Sequence, residues 1–166
     1  MIEPRKAMKE IKAEIIADSI CNGHRITSMI LTFPRFILAE LNTHRMLSKN
    51  SASSRAIPFE KMVKMVEEDP FTPIAWQKDH KGMQGTEYLS SNELIEAADR
   101  WNDAKNYAIS YAKDLHSVGT TKQLCNRLLE PFMWHQVLVT FTEISNFFEL
   151  RCPSYEIDLD KLEELT

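Results

Sequence analysis

One stretch of the sequence carries an unusual concentration of hydrogen-bond donors for an anion. Residues 43–56 contain five hydroxyl side chains, two arginines, a lysine, a histidine and an asparagine, and no acidic residue. Guanidinium groups bind phosphate through paired hydrogen bonds, and hydroxyls and the backbone N–H groups of a tight turn add further donors. The composition therefore indicates an anion-binding loop, although a solvated serine-rich loop has the same composition.

Two further arginines are predicted to point toward the protein interior. In the helix predicted over residues 122–129, Arg127 shares a face with two leucines, because residues three and four apart are neighbours on a helix. Arg151 shares a face with apolar residues in the helix predicted over residues 143–151. A buried guanidinium must be paired, so the partner is either a glutamate or an anionic ligand that Arg55 also binds. The glutamates that could form the structural ion pair are Glu40, Glu130 and Glu143.

Hydrophobic periodicity and turn residues predict an α+β fold. Strands are predicted where β-branched and aromatic residues are bounded by turn residues, over 26–33 and 132–141. Residues 12–20, which precede a turn at Asn22-Gly23, are predicted to form a strand or a short helix. Helices are predicted over residues 35–41, 60–68, 122–129 and 143–151, and from residue 91 or 92 to just before Gly119.

Two of these helices are predicted to be buried. The helix over residues 35–41 is apolar nearly all round, which would make it a rigid interior platform for the donor-rich loop. The long helix carries nine residues at helical spacing, which is typical of a core stripe. These residues are Leu94, Ala97, Ala98, Trp101, Ala104, Ala108, Tyr111, Ala112 and Leu115.

Length, charge and cysteine usage argue against several classes of protein. A chain of 166 residues predicts a single domain over residues 1–166. A net charge of −4 argues against a broad nucleic-acid surface. Three widely spaced cysteines are not typical of a disulfide framework, and no apolar run resembles a signal core or a membrane span, so we expect a cytoplasmic protein. No His/Cys cluster has the spacing of a metal site.

Three blocks of the sequence resemble the flavin-dependent thymidylate synthases, also called thymidylate synthase complementing proteins. The first block resembles the family's Arg-His-Arg signature, with Thr43-His44-Arg45 as the triplet. Four more residues of this block fall at the family's spacing: Ser48, Asn50, Ser53 and Arg55. The second block, residues 122–131, has an Arg four positions before a Pro. The third, residues 142–151, ends with Asn-Phe, two residues, and Leu-Arg.

The resemblance has departures that point to a divergent branch with a Thr-His-Arg triplet. Thr43, Ser51 and Ala56 stand where the family usually has Arg, Glu and Tyr. The residues after 151 also differ from the family's usual continuation, so the chain resembles a form that is shortened at its C-terminus.

The resemblance implies a role for each motif residue. Ser53 and Arg151 are the implied catalytic residues. The implied dUMP-binding residues, with Arg55 on the phosphate, are Glu40, Ser53, Arg55, Arg127 and Arg151. The implied FAD-binding residues are Thr43, His44, Arg45, Asn50, Ser51 and Asn146.

A reaction and an architecture are implied as well. The family transfers a methylene group from methylenetetrahydrofolate to dUMP and reduces it to the methyl group of dTMP. The hydride comes from reduced FAD, which NADPH regenerates, and the sites lie between subunits of a homotetramer. The implied fold is an antiparallel sheet flanked by helices, with one long central helix.

Two other interpretations remain open. The chain could be a catalytically inactive or split nucleotide-binding or assembly homologue without a complete flavin site, which the changes at Thr43 and Ser51 favour. The presence of Arg55, Arg127 and Arg151 favours the enzyme instead. The other interpretation is a purely structural helical domain with an incidental basic loop. It would not explain why three blocks resemble the family in the same order along the chain.

Overall fold

A four-stranded antiparallel sheet and a group of helices make up the fold. The computed structural model describes residues 10–82 and 85–151, and for residues 150 and 151 it describes the backbone alone. The strands are β1 (Lys12–Cys21), β2 (His24–Pro34), β3 (Ser48–Ser51) and β4 (Trp134–Phe141). The helices are α1 (Leu38–Thr43), α2 (Phe59–Glu68), α3 (Ser91–Ser117), α4 (Lys122–Leu129) and α5 (Ser145–Arg151).

Strands β1 and β2 form a hairpin at the predicted turn. Asn22 and Gly23 both have positive φ, at 50° and 81°, and Cys21 pairs directly with His24. A two-residue turn with two positive φ values matches the twist of the flanking strands, which explains the Asn-Gly pair. The hairpin confirms the predicted turn and resolves residues 12–20 as a strand.

The sheet has the order β1-β2-β4-β3, with antiparallel pairing throughout. Strand β3 falls inside the stretch predicted to be a loop. Its four residues pair with β4, from Ser48 opposite Thr140 to Ser51 opposite Val137. Ser, Lys and Asn have little intrinsic preference for strands, so the strand forms because β4 offers a free edge.

Two clusters of apolar side chains form the core. The first lies among α2, α3 and α4 and includes Met62, Val66, Ala112, Cys125 and Leu129, all fully buried. The second covers one face of the sheet and consists of Phe33, Leu47, Val137, Val139 and Phe141, with α1 and Ile144 packed against it. Ile57, in the segment between β3 and α2, packs against the first cluster.

The predicted burial of residues 35–41 is wrong. The chain forms a 3₁₀ turn at Arg35–Ile37 and then the short helix α1, and neither contains a fully buried residue. Leu38 and Leu41 pack on the sheet, whereas 46% of the surface of Phe36 is exposed. A helix of this length offers only one face to the sheet, so apolar residues on its other faces stay exposed.

The predicted core stripe of α3 is confirmed in part, since Trp101 and Ala108 pack against the helical core that contains Ala112. Of its nine residues, only Ala112 is fully buried, while Leu94, Tyr111 and Leu115 are exposed. The helix packs mainly against α4, and its Trp101 indole donates a hydrogen bond to the Phe71 carbonyl at 3.0 Å.

The C-terminal end of α3 matches the signal in the sequence, because Gly119 has a φ of 85° just beyond the last turn. At the N-terminal end the N-cap is Ser90, which forms a capping box with Glu93, and not residue 91 or 92 as predicted.

We expect Met62→Ala to lower the free energy of unfolding by about 2–5 kcal/mol, because it leaves a cavity where the side chain is fully buried. Urea unfolding followed by circular dichroism measures the change. Met46→Ala is the matched control, since 64% of Met46 is exposed. Equal effects of the two substitutions would contradict the assignment of the helical core.

Candidate functional site

The donor-rich stretch ends in a tight turn that presents Arg55. The backbone N–H of Ala56 donates to the carbonyl of Ser53 at 3.0 Å, and the N–H of Arg55 donates to the Ser53 hydroxyl oxygen at 3.3 Å. Serine favours such turns because its hydroxyl can bond to the backbone two residues on. Ser53 and Arg55 are both exposed, so their side chains are accessible to a ligand.

The guanidinium of Arg55 lies against helix α4. Its Nε and Nη2 atoms donate to Oε1 of Gln123 at 3.2 and 3.0 Å. Arg127 stands four residues after Gln123, one turn along the same exposed face. The structure therefore brings two of the predicted dUMP-binding arginines, Arg55 and Arg127, to the same exposed face of α4.

The prediction that Arg127 points inward is wrong. Its side chain is 52% exposed, and its Nη1 atom donates to both carboxylate oxygens of Glu130 at 3.1 Å. Leu124, which was predicted to share a buried face with it, is 60% exposed. The buried face of α4 carries Cys125, Asn126 and Leu129 instead. Glu130 is one of the three glutamates that the sequence offered as a partner.

Four of the six predicted cofactor-binding residues line one cleft. Its volume is about 340 Å³, and its walls are Thr43, His44, Arg45, Met46, Glu143, Asn146 and Phe147. Because β3 runs antiparallel to β4, the start of β3 lies beside the end of β4. The residues just before β3 therefore meet those just after β4. This pairing joins two segments that are about 100 positions apart in the sequence.

The cleft combines an aromatic wall with a few polar groups. The ring of His44 packs edge-on against Phe147, with the ring centroids 5.1 Å apart. Arg45 supplies a cation and Glu143 a carboxylate, while the Asn146 side chain is exposed at the same cleft. An apolar wall with a small number of polar groups is typical of a site for a planar organic ligand.

The other predicted site residues lie elsewhere. Asn50 and Ser51 are neighbours on β3, so their side chains point to opposite faces of the sheet. Glu40 is exposed on α1, and its carbonyl accepts a hydrogen bond of 2.7 Å from the Thr43 hydroxyl. The side chain of Arg151, the last residue of α5, lies outside the described part of the chain.

Lys49 was counted among the donors for an anion, but the structure gives it another role. Its ammonium group donates to the carbonyls of Leu41 and His44, at the C-terminal end of α1. A cation is favourable at this end of a helix, where carbonyl groups lack partners within the helix. Lys49 therefore holds the start of the cleft in place and is not a free cation for a ligand.

Sequence reasoning missed Gln123 and Asn126 on α4. A glutamine and an asparagine in an amphipathic helix usually indicate its solvent face, so neither stands out in the sequence. The helical spacing on α4 could have revealed Asn126. Cys125 and Leu129 lie on one face of the helix, and Asn126 is next to that face, whereas Leu124 is not.

Comparison with solved structures relates the fold to a nucleotide-modifying enzyme. The fold is similar to that of a UMP/dUMP methylase, PolB from Streptomyces cacaoi. The structure of PolB bound with 5-Br UMP matches with a TM-score of 0.65 and 15% identity, over 84% of this chain and 74% of that chain. PolB bound with 5-Br dUMP matches with a TM-score of 0.60 and 12% identity, over 81% of this chain and 74% of that chain. The predicted α+β fold, with an antiparallel sheet and one long helix, is confirmed.

The sequence comparisons add no closer relationship, since neither a protein-family model nor a curated protein matches the chain. Within residues 10–82 and 85–151, no cluster of three or more potential metal-binding side chains is found. No helix in the same ranges has both the length and the apolar character needed to cross a bilayer.

A second, smaller cavity lies behind the Ser53 turn. It has a volume of about 150 Å³ and is lined in part by Arg35, Ser54, Trp134 and His135. The Ser54 hydroxyl and the Trp134 indole N–H are buried and have no partner among the described residues. Nη1 of Arg35 lies 2.9 Å from Nε2 of His135, so the neutral ring accepts a hydrogen bond from the guanidinium. Burial, and then the charge of Arg35, lower the pKa of His135 to about 4.

We expect the stability of the protein to fall as the pH is lowered from about 6.5 to about 4. In this window the unfolded chain binds a proton at residue 135 that the folded chain excludes, so acid favours unfolding. His135→Gln should reduce this loss, whereas His24→Gln, at the exposed hairpin, should leave it in place. Urea unfolding at about pH 7 and about pH 4.5 measures the difference, and parallel profiles for wild type and His135→Gln would contradict the assignment.

Proposed function

We propose that this chain methylates dUMP to dTMP, with methylenetetrahydrofolate as the carbon donor and reduced FAD as the hydride source. The observation that carries this proposal is the cleft at the end of β4. Thr43, His44, Arg45 and Asn146 come from two distant motifs that the family resemblance assigns to one cofactor, and they line one cavity. The likeness of the fold to that of PolB, whose structures are bound with 5-Br UMP and 5-Br dUMP, supports a pyrimidine nucleotide as the substrate.

The phosphate of dUMP is assigned to the Ser53 turn. The Ser53 hydroxyl and the Arg55 guanidinium are exposed there, and Arg127 stands on the neighbouring face of α4. A guanidinium held by a neutral glutamine keeps its full positive charge for a phosphate. In this proposal Arg151 faces the uracil, Glu40 is a further dUMP contact, and Ser53 and Arg151 act in catalysis.

The proposed chemistry needs no thiolate from the protein. The two cysteines of the described ranges are Cys21, at the hairpin turn, and Cys125, buried in the helical core. Neither lines the cleft of Thr43 and Asn146. When bound, the reduced flavin supplies the hydride, and the protein supplies binding, orientation and positive potential.

The cleft in a single chain suits part of FAD. A volume of about 340 Å³ is at the lower end of the range for ligand sites, and FAD is a large ligand. We propose that a homotetramer completes the site, with Asn50 and Ser51 of the edge strand β3 also contributing to it. Exposed apolar side chains on α3 and α4 support a covered surface: Leu94, Ile95, Tyr107, Tyr111, Leu115, Leu124 and Leu128. NADPH is the proposed source of electrons for the flavin.

A second candidate function is a nucleotide-binding homologue that lacks catalysis. It is favoured by Thr43, whose hydroxyl donates to the Glu40 carbonyl and brings no charge to the cleft. Among the described residues that line the cleft, Glu143 opposes the charge of Arg45. An anionic cofactor would bind more weakly to such a neutral cleft than to one with another arginine.

The absorption spectrum of the purified protein separates the two candidates. After incubation with FAD and desalting, we expect retained flavin bands that shift when dUMP is added, because hydride transfer in the proposed reaction requires the uracil to contact the flavin. Asn146→Ala should lose the retained flavin, and Asn102→Ala, on the exposed surface of α3, is the matched control. A colourless wild-type protein that still binds dUMP would favour the second candidate.

We expect Arg55→Ala to weaken dUMP binding by about 10- to 100-fold, since a hydrogen bond to a charged group contributes about 1.5–3 kcal/mol. Arg127→Ala should act in the same direction. Arg100→Ala is the control, because Arg100 is an exposed arginine paired with Glu96 on α3. Isothermal titration calorimetry measures the three affinities, and wild-type affinity in both Arg55→Ala and Arg127→Ala would reject the phosphate site.

A further inference from the structure

Asn126 is a fully buried polar side chain that faces the Ser53 turn. Its Nδ2 atom donates to the backbone carbonyl of Ser54 at 2.9 Å and to that of Ile57 at 3.0 Å. Both amide hydrogens are thereby used, and the two carbonyls lie on either side of Arg55. The turn is thus tied to α4 on both sides of the residue that carries the guanidinium.

The same helix also holds the guanidinium itself. Gln123, three residues before Asn126, accepts two hydrogen bonds from the Arg55 side chain. Residues three apart on a helix are neighbours, so one side of α4 fixes both the backbone and the side chain of Arg55. Arg127, the next residue after Asn126, belongs to the same rigid element. The separation of the two arginines is therefore set by α4.

The cost of burying Asn126 argues that its role is more than packing. Its Oδ1 atom is buried and has no hydrogen-bond partner among the described residues. An unpaired buried acceptor destabilises a protein. The two neighbouring buried residues of α4, Cys125 and Leu129, have side chains with little or no polar character and do not carry this cost. An apolar residue at position 126 would avoid that cost but would release the turn.

We propose that Asn126 is a positioning residue for the phosphate site. It holds the Ser53–Ile57 turn on α4 so that Arg55 and Arg127 lie at a fixed separation and bind the same phosphate group. This inference rests on the proposed function, because it takes Arg55 to be a ligand of the dUMP phosphate. Asn126 itself does not touch the nucleotide and acts through Arg55.

A double-mutant cycle on dUMP binding tests this role. We expect Asn126→Ala to weaken dUMP binding about tenfold, the equivalent of one good hydrogen bond. The variant with both Asn126→Ala and Arg55→Ala should bind no more weakly than Arg55→Ala alone, because the first substitution acts only through Arg55. Calorimetry gives the affinities, and thermal unfolding gives the stability of each variant.

Cys125→Ala is the matched control. Cys125 is equally buried on the same helix, and its thiol contacts the carbonyl of Thr120 and not the turn. It should destabilise the protein while leaving dUMP affinity unchanged. If Asn126→Ala does not fold, Gln123→Ala is the second variant, since Gln123 is exposed and its substitution removes the hydrogen bonds to the Arg55 guanidinium. It should weaken dUMP binding, and the loss should not add to that of Arg55→Ala.

The possible results separate this inference from the proposed function. Additive losses in the cycle, or wild-type affinity in a folded Asn126→Ala, would overturn the positioning role while leaving the phosphate site in place. Wild-type affinity in both Arg55→Ala and Arg127→Ala would reject the phosphate site, and no binding of dUMP to the wild-type chain would overturn the proposed function itself.

Discussion

The pairing of β4 with β2 on one side and β3 on the other is the constraint on which the site depends. It fixes the end of β4 beside the start of β3, where residues from two distant motifs meet. The side chains of Val137, Val139 and Phe141 anchor this strand in the core under the sheet. Without that anchor, the segment of Thr43 and His44 would have no fixed relation to Asn146.

Some charged side chains around the site bind to other groups of the protein, and others remain accessible to a ligand. Lys49 and Arg35 both use their charges on protein groups, Lys49 on carbonyls of α1 and Arg35 on His135 and Glu130. Glu130 is shared between Arg35 and Arg127, so this cluster carries one more positive than negative charge. Among the described residues, the side chain of Arg55 has only the neutral Gln123 as a hydrogen-bond partner, which leaves its charge available.

The sequence predicted the elements of the fold better than it predicted their buried faces. Local turn and capping residues, which can be read from the sequence, predict three of these elements. They are the Asn22-Gly23 hairpin, the helix capped by Thr121 and the strand before α5. The orientation of α4 depends on hydrogen bonds from Asn126 to backbone carbonyls 69 and 72 positions away, and no local pattern encodes these. From the sequence alone, a polar residue that forms hydrogen bonds with a distant part of the backbone cannot be distinguished from a polar residue that is exposed to water.

The same distinction applies to the site. The resemblance assigned six residues to one cofactor, and the fold brings four of them to one cleft: Thr43, His44, Arg45 and Asn146. Asn50 and Ser51 lie on β3 instead. The resemblance did not reveal that Lys49 serves the helix end or that Gln123 holds Arg55. Those contacts involve residues whose types are common on any surface. Their importance depends only on which groups of the protein lie opposite them.

The short strand β3 also links folding to the formation of the cleft. Its pairing partner on β4 is about 90 positions away in the sequence, so the entropy of closing a long loop opposes the contact. Contacts of this kind form slowly compared with local helices and hairpins. The helical core and the β1–β2 hairpin involve shorter separations, so we expect the cleft to be assembled late in folding. A ligand that bridges its two walls would stabilise the last part of the sheet to form, and it would therefore slow unfolding more than it speeds folding.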